Sequence, residues 1–156
     1  MIRLATEADL PALMRLNAMV QELHARREPE SFKILSDEAA CIEWFRKILA
    51  EPANCVFVAE KDQSVIGYLF AQEVKREESW MRPPAHLFML EHIAVAPEFQ
   101  RKGYGHALMG RFFSEAKRRG IPRAEVVHWG FNDAAGRFFK RYGFTTLHLR
   151  LAAVVP

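Results

Sequence analysis

The residues best placed to do chemistry lie between Ile93 and Gly105, in Ile93-Ala94-Val95-Ala96-Pro97-Glu98-Phe99-Gln100-Arg101-Lys102-Gly103-Tyr104-Gly105. An apolar strand pattern runs into a basic turn with two glycines, and a helical pattern follows. A helix start leaves its first N–H groups without intrahelical acceptors, and the helix dipole adds partial positive charge there. The turn therefore predicts an anion cradle built from the backbone of Gln100, Arg101, Lys102, Gly103, Tyr104 and Gly105. Gly103 and Gly105 lack the Cβ that would keep a phosphate at a distance. The second chemical residue is Glu91, a carboxylate within the apolar run Met89-Leu90-Glu91-His92-Ile93. A charge there is costly unless hydrated or partnered, which marks it as a site candidate. The plainer readings are an ordinary strand-to-helix connection and a glutamate that only shapes a water-filled pocket.

Around these residues the pattern predicts a single mixed α/β domain over residues 1–156, ordered β α α β β β α β α β. Ile2–Leu4 reads as a strand. Thr6 and Asp9 open a helix of about 20 residues whose apolar positions recur at helical spacing. The charged stretch from His24 to Lys33, broken by Pro29, reads as a loop, and Ser36 caps a second helix running to about Leu49. Cys55–Ala59 and Ser64–Glu73 form a hairpin around the turn Glu60–Gln63. His86–Val95 is a long strand, Tyr104–Arg119 a helix and Ala124–Trp129 a strand. Asn132 caps a last helix carrying Ala135, Phe138, Phe139 and Tyr142, and Gly143 ends it. Alternation then predicts a final strand, Phe144–Leu151. Antiparallel pairing is expected before the central helix and a crossover at it.

Two other glycine-rich phosphate motifs do not fit. A dinucleotide fingerprint needs a third glycine and an acid about 20 residues on, and a Walker loop needs Gly-Lys-Ser/Thr. Gln100-x-x-Gly103-x-Gly105 after Val95-x-Pro97 instead resembles the first signature of the GNAT superfamily of N-acetyltransferases, and Asn132 through Phe144 resembles its second. The resemblance covers nearly the whole chain. It implies a mostly antiparallel sheet whose two central strands, here His86–Val95 and Ala124–Trp129, splay to admit a thioester. By the same resemblance the pyrophosphate of acetyl-CoA rests on the turn, and the pantetheine arm pairs with Ile93, Ala94 and Val95. Asn132 touches the cofactor, Glu91 serves as general base, and a backbone N–H near Ile93 or Ala94 holds the oxyanion at a bulge. The chain departs from the family at Phe139, where many relatives place a tyrosine that protonates the departing thiolate. Tyr142 nearby reads as a core aromatic, and His92 as a packing or surface residue alternating away from Glu91.

The acceptor implied is a primary amine of a small molecule or peptide, bounded by the His24–Ser36 and Lys75–Pro84 loops. His24 and Trp129 are candidate walls. Both loops mix acids and bases, which leaves open whether a polyamine, an aminoglycoside or an amino-acid carboxylate fits. A non-catalytic acyl-CoA sensor and a nucleotide-phosphate binder are the rival readings.

Composition sets the outer bounds. The 156 residues are 50% hydrophobic, enough for a proper core. The net charge of +3 is too small to indicate a nucleic-acid partner. No apolar run approaches the ~20 residues that span a bilayer, and the first residues lack a secretion signal's apolar stretch. Cys41 and Cys55 read as reduced core thiols of a cytoplasmic protein, and the histidines show no metal-ligand spacing. The last strand offers an edge through which a homodimer would pair.

Overall fold

A computed structural model describes residues 1–155, which fall into two compact units, one of residues 1–126 and one from Val127 onward. The first holds β1 (Ile2–Leu4), α1 (Leu10–Arg27), α2 (Glu38–Ala50), β2 (Asn54–Lys61), β3 (Ser64–Arg76), β4 (Ala85–Val95), α3 (Tyr104–Arg118) and β5 (Arg123–Val126). The sheet order follows the chain, β1-β2-β3-β4-β5. The first three pairings are antiparallel, and β4 pairs with β5 in parallel across the α3 crossover. The fold is thus a mixed, mostly antiparallel five-stranded sheet flanked by helices.

Each face of the sheet is sealed by helices whose apolar stripes were legible in the sequence. Leu10, Leu13, Leu16, Cys41, Phe45 and Ile48 of α1 and α2 pack with Val56, Val58, Tyr68 and Phe70. On the other face Phe112 of α3 stacks on Phe88 of β4 with ring centres 4.9 Å apart. Burying such side chains stabilises each by about 1.5–3 kcal/mol. The C-terminal end of α3 is fastened by charge. Buried Glu115 accepts from Arg118 and from Arg119 Nε at 2.9 Å, and Arg119 reaches Glu73 of β3 at 3.1 Å. This clamp fixes the far end of the helix that begins at the Gln100–Gly105 turn.

Several boundaries differ from expectation for local reasons. Helix α1 continues to Arg27, so His24 lies in its last turn rather than in the loop. Asp37, not Ser36, caps α2, accepting from Ala40 N–H at 2.8 Å. The β2–β3 turn shrinks to Asp62 and Gln63, at φ +48° and +62°. Left-handed residues at both positions match the twist of the strands and let the ladder reach Lys61 and Ser64.

In the second unit, α4 spans Asp133–Lys140, and the Asn132 side chain caps it by accepting from Ala135 N–H at 3.0 Å. Gly143 follows at φ +83°. Among the described residues no strand forms between 144 and 151, and Leu147, Leu149 and Leu151 are exposed. Alternation gives a strand its two faces, but a ladder needs a partner backbone. The Ala124–Trp129 strand also proves shorter. It ends at Val126, leaving His128 and Trp129 outside the sheet.

Candidate active site

The site is organised by one irregularity in β4. Phe70 pairs with His92 and Ala71 with Leu90, so Glu91 is an extra residue, a β-bulge. At the same point β5 leaves, its last pair being Leu90 with Val126. From Glu91 to Val95, β4 therefore keeps β3 on one side and, among the described residues, has no ladder partner on the other. This is the splay that the resemblance implied.

The backbone of that open edge can be assigned. Ala96 N–H donates to Ile66 O at 2.9 Å, and a Cβ on Gly67 would come within 2.8 Å of Ala94 O. Ala94 and Ala96 thus turn their backbone groups toward β3. Alternation turns those of Ile93 and Val95 to the open edge. Gln100 agrees with this, donating from Nε2 to Val95 O at 2.9 Å and tying the turn to the strand. The bulge itself stands at Glu91, two residues before Ile93, which corrects the expectation that it lies near Ile93 or Ala94.

The turn has an unusual backbone. Arg101 has φ +58° and Gly103 φ +89°, two left-handed residues only two positions apart. A left-handed conformation costs a non-glycine residue roughly 1–2 kcal/mol, so Arg101 carries strain of the kind that gathers at binding sites. Gly103 is the N-cap of α3 and offers no side-chain cap, and the first turn holds no acid to occupy the N–H groups. Arg101 and Lys102 are exposed beside it. Tyr104 opens the helix, edge-on to Phe99, and Gly105 is its second residue.

Glu91 is open to solvent on one side, while the surrounding protein desolvates its carboxyl and raises its pKa above the ordinary 4.5. A raised carboxyl pKa suits a general base or acid working near neutrality. The bulge also decides the position of His92. Phe88 and Leu90 share the α3 face, whereas His92 meets Tyr68 and Trp44 on the α1–α2 face. Residues two apart on a regular strand share a face, so the extra residue produces the reversal. His92 packs against Trp44, Tyr68 and Phe70, and the bulge sets the face on which it does so.

His92 was not singled out for chemistry in the sequence, yet it sits in a polar chain. Asn17 Nδ2 donates to Tyr68 Oη at 3.1 Å, and Tyr68 Oη lies 3.1 Å from His92 Nδ1. Burial, with His24 nearby, holds His92 down at about 4, so the ring is neutral at pH 7. Asn17 Nδ2 also lies 3.4 Å from Nδ1, and the neutral ring that satisfies both the amide and the tyrosine hydroxyl accepts at Nδ1 and carries its proton on Nε2. No periodicity in the sequence announces this arrangement, because it depends on the bulge.

The remaining candidates are placed as follows. His24 Nδ1 bonds to Val20 O at 2.7 Å, and its ring packs on Phe32. Asn132 and Trp129 belong to the second unit. There Trp129 stacks with Phe131, and the Asn132 carbonyl oxygen is engaged in capping. Phe139 is buried between His128 and Phe144. Cys41 and Cys55 are both buried and free. Among the described residues no cluster of His, Cys, Asp or Glu could hold a metal ion, and no helix is long and apolar enough to cross a membrane.

An open strand edge that runs into a left-handed turn and a helix start without a side-chain cap is the arrangement this site presents. A model of the Acetyltransferase (GNAT) family matches residues 17–144, and the chain belongs to that family. No curated protein matches the sequence significantly. Among solved structures, the tetramutant of the BH1408 protein from Bacillus halodurans is similar with TM-score 0.93 at 18% identity, covering 99% of both chains. The aminoglycoside 6'-N-acetyltransferase AAC(6')-IG from Acinetobacter haemolyticus aligns with TM-score 0.76 at 20% identity, over 100% of this chain and 98% of that one. The aminoglycoside N-acetyltransferase AAC(6')-Iy, crystallised with CoA, gives 0.78 at 17% identity, over 99% and 93%. The fold is theirs, and family membership gives the general class of acyl transfer.

Proposed function

We propose that the protein transfers an acetyl group from acetyl-CoA to a primary amine of a small molecule or peptide, with residues 1–156 acting as one catalytic domain in the cytoplasm. The observation that carries this reading is the continuity of the Gln100–Gly105 turn with the open edge at Ile93 and Val95. Pyrophosphate would rest on the turn's N–H groups, with Arg101 and Lys102 adding charge. The pantetheine amides would pair with Ile93 and Val95 as a missing strand would. Ala94 lies beneath them, and its own backbone groups face β3. Asn132, whose oxygen caps α4, would offer its amide nitrogen. Two of the solved relatives are aminoglycoside acetyltransferases, which favours a small-molecule amine.

Chemically, an amine of pKa ~10 must lose a proton before it attacks a thioester. Glu91, next to the point where the strands part, would take that proton directly or through water. The attacking nitrogen forms a bond to the thioester carbon, and the carbonyl oxygen becomes an oxyanion. The Ile93 N–H, on the open edge, is better aimed at it than the Ala94 N–H. The C–S bond then breaks, the nitrogen releases its remaining extra proton to water, and the thiolate takes a proton back from water, since Phe139 has none to give.

Calorimetry with acetyl-CoA and ATP, followed by thiol release over an amine panel, tests the reading. Heat with acetyl-CoA and thiol release with at least one amine are expected, and absence of heat with acetyl-CoA overturns it. A non-catalytic acyl-CoA sensor is favoured only by Phe139, and binding without release from any amine would select it.

A further inference from the structure

A groove of about 430 Å³ lies on the α1–α2 face, where His92 emerges from β4. Its size falls within the range of small-molecule sites. The wall includes Asn17, Lys33, Asp37, Trp44 and His92, together with the chain leading into α2. Resting on the acetyltransferase reading above, we infer that this groove holds the non-reacting body of the acceptor and selects an amine with a single positive charge, stacked on Trp44 and hydrogen-bonded to His92.

The charge count carries the first half. Lys33 and Asp37 are the only fully charged side chains in the wall, so the formal charge is zero. Asp37 is further committed through one oxygen to the Ala40 N–H. Of the charged residues in the His24–Ser36 and Lys75–Pro84 stretches that left the acceptor open in the sequence, Lys33 lines it, whereas Arg26, Arg27, Glu28 and Glu30 do not. A polyamine or aminoglycoside carries several ammonium groups and needs several carboxylates to offset their desolvation. This wall does not supply them.

Trp44 and His92 carry the second half. The Trp44 indole is 41% exposed although it meets Phe45 and Phe70 in T-shaped contacts, so aromatic surface remains open in the groove. Flat or sugar-like bodies stack on such a surface. His92, tilted against Trp44 with ring centres 5.5 Å apart, has its Nδ1 turned onto Tyr68. Its Nε2–H is then a donor and not a base, which leaves proton removal to Glu91. The acceptor should carry an oxygen that takes this hydrogen bond.

The test titrates tyramine, spermidine and tobramycin into the CoA-loaded protein and its variants by calorimetry, and measures thiol release from acetyl-CoA in parallel. Tyramine is expected to bind at least tenfold more tightly than either polycation. Trp44→Ala should weaken tyramine about tenfold, and His92→Leu should do so severalfold with partial rescue in His92→Gln. Leu4→Ala, at a 54% exposed position on β1 outside the groove, serves as control. CoA affinity reports that each variant folds. Equal or tighter binding of spermidine or tobramycin, or tyramine binding indifferent to Trp44→Ala, overturns the inference while the transferase reading stands. Acetyl-CoA binding and thiol release are read separately, so loss of either is the failure of the reading beneath.

Discussion

Replacing Glu115 by glutamine tests whether the clamp at the far end of α3 is as strong as its geometry implies. Glu115 is buried, contacted by Arg118 and Arg119, and its carboxyl is held down at about 2 against an ordinary 4.5, chiefly by its hydrogen bonds to Arg118. At 1.36 kcal/mol per tenfold change in proton affinity, this corresponds to roughly 3.4 kcal/mol as an upper bound. Arg118 is well exposed, and solvent screening of its share brings the expected loss to about 2 kcal/mol. For a chain of this length that lowers Tm by roughly 4–8 °C. Because the folded pKa is depressed, the stabilisation is complete above the unfolded value of about 4.5 and is lost as pH falls toward about 2. Urea unfolding of wild type and Glu115→Gln should therefore differ most at neutral pH, with the gap roughly halved near pH ~3. Acetyl-CoA affinity of the folded variant should be unchanged, since Glu115 lies at the opposite end of the helix from the turn. Equal stability at pH 7, or a gap that widens on acidification, would refute the account.

Three further outcomes are expected. Glu91→Gln should lower kcat/KM by roughly 10²–10⁴-fold without weakening acetyl-CoA, and wild-type activity should fall as pH drops through a carboxyl value above 4.5; unchanged turnover would remove Glu91 from the mechanism. Gly103→Ala meets no steric obstacle but forces alanine to φ +89°, so Tm should fall by a few degrees and acetyl-CoA should bind more weakly in calorimetry. Asn132→Ala should cost about 1 kcal/mol through the lost α4 cap, whereas Asn132→Ser keeps the cap and loses only the amide nitrogen. A drop in acetyl-CoA affinity in both variants marks that nitrogen as a cofactor contact, and a drop in neither assigns Asn132 to capping alone.

What the sequence determined by itself is the material of the fold and the backbone of the turn. The apolar stripes of α1, α2 and α3 and the long β4 are written as local periodicities, and each element forms where its own side chains demand burial. The same holds for Gly103, whose left-handed backbone is a property of the residue and its neighbours. Three decisions lay beyond the sequence because each depends on a partner strand. Phe144–Leu151 alternates well, yet without a ladder its leucines remain exposed. Trp129 falls outside β5 because pairing with β4 ends at Leu90. The β4 bulge at Glu91 exists only as a mismatch in register with β3, and no pattern along one strand can reveal a mismatch between two. That single extra residue parts the sheet and turns His92 toward Tyr68 and Trp44, so the tertiary pairing sets the shape of the site that the sequence had equipped.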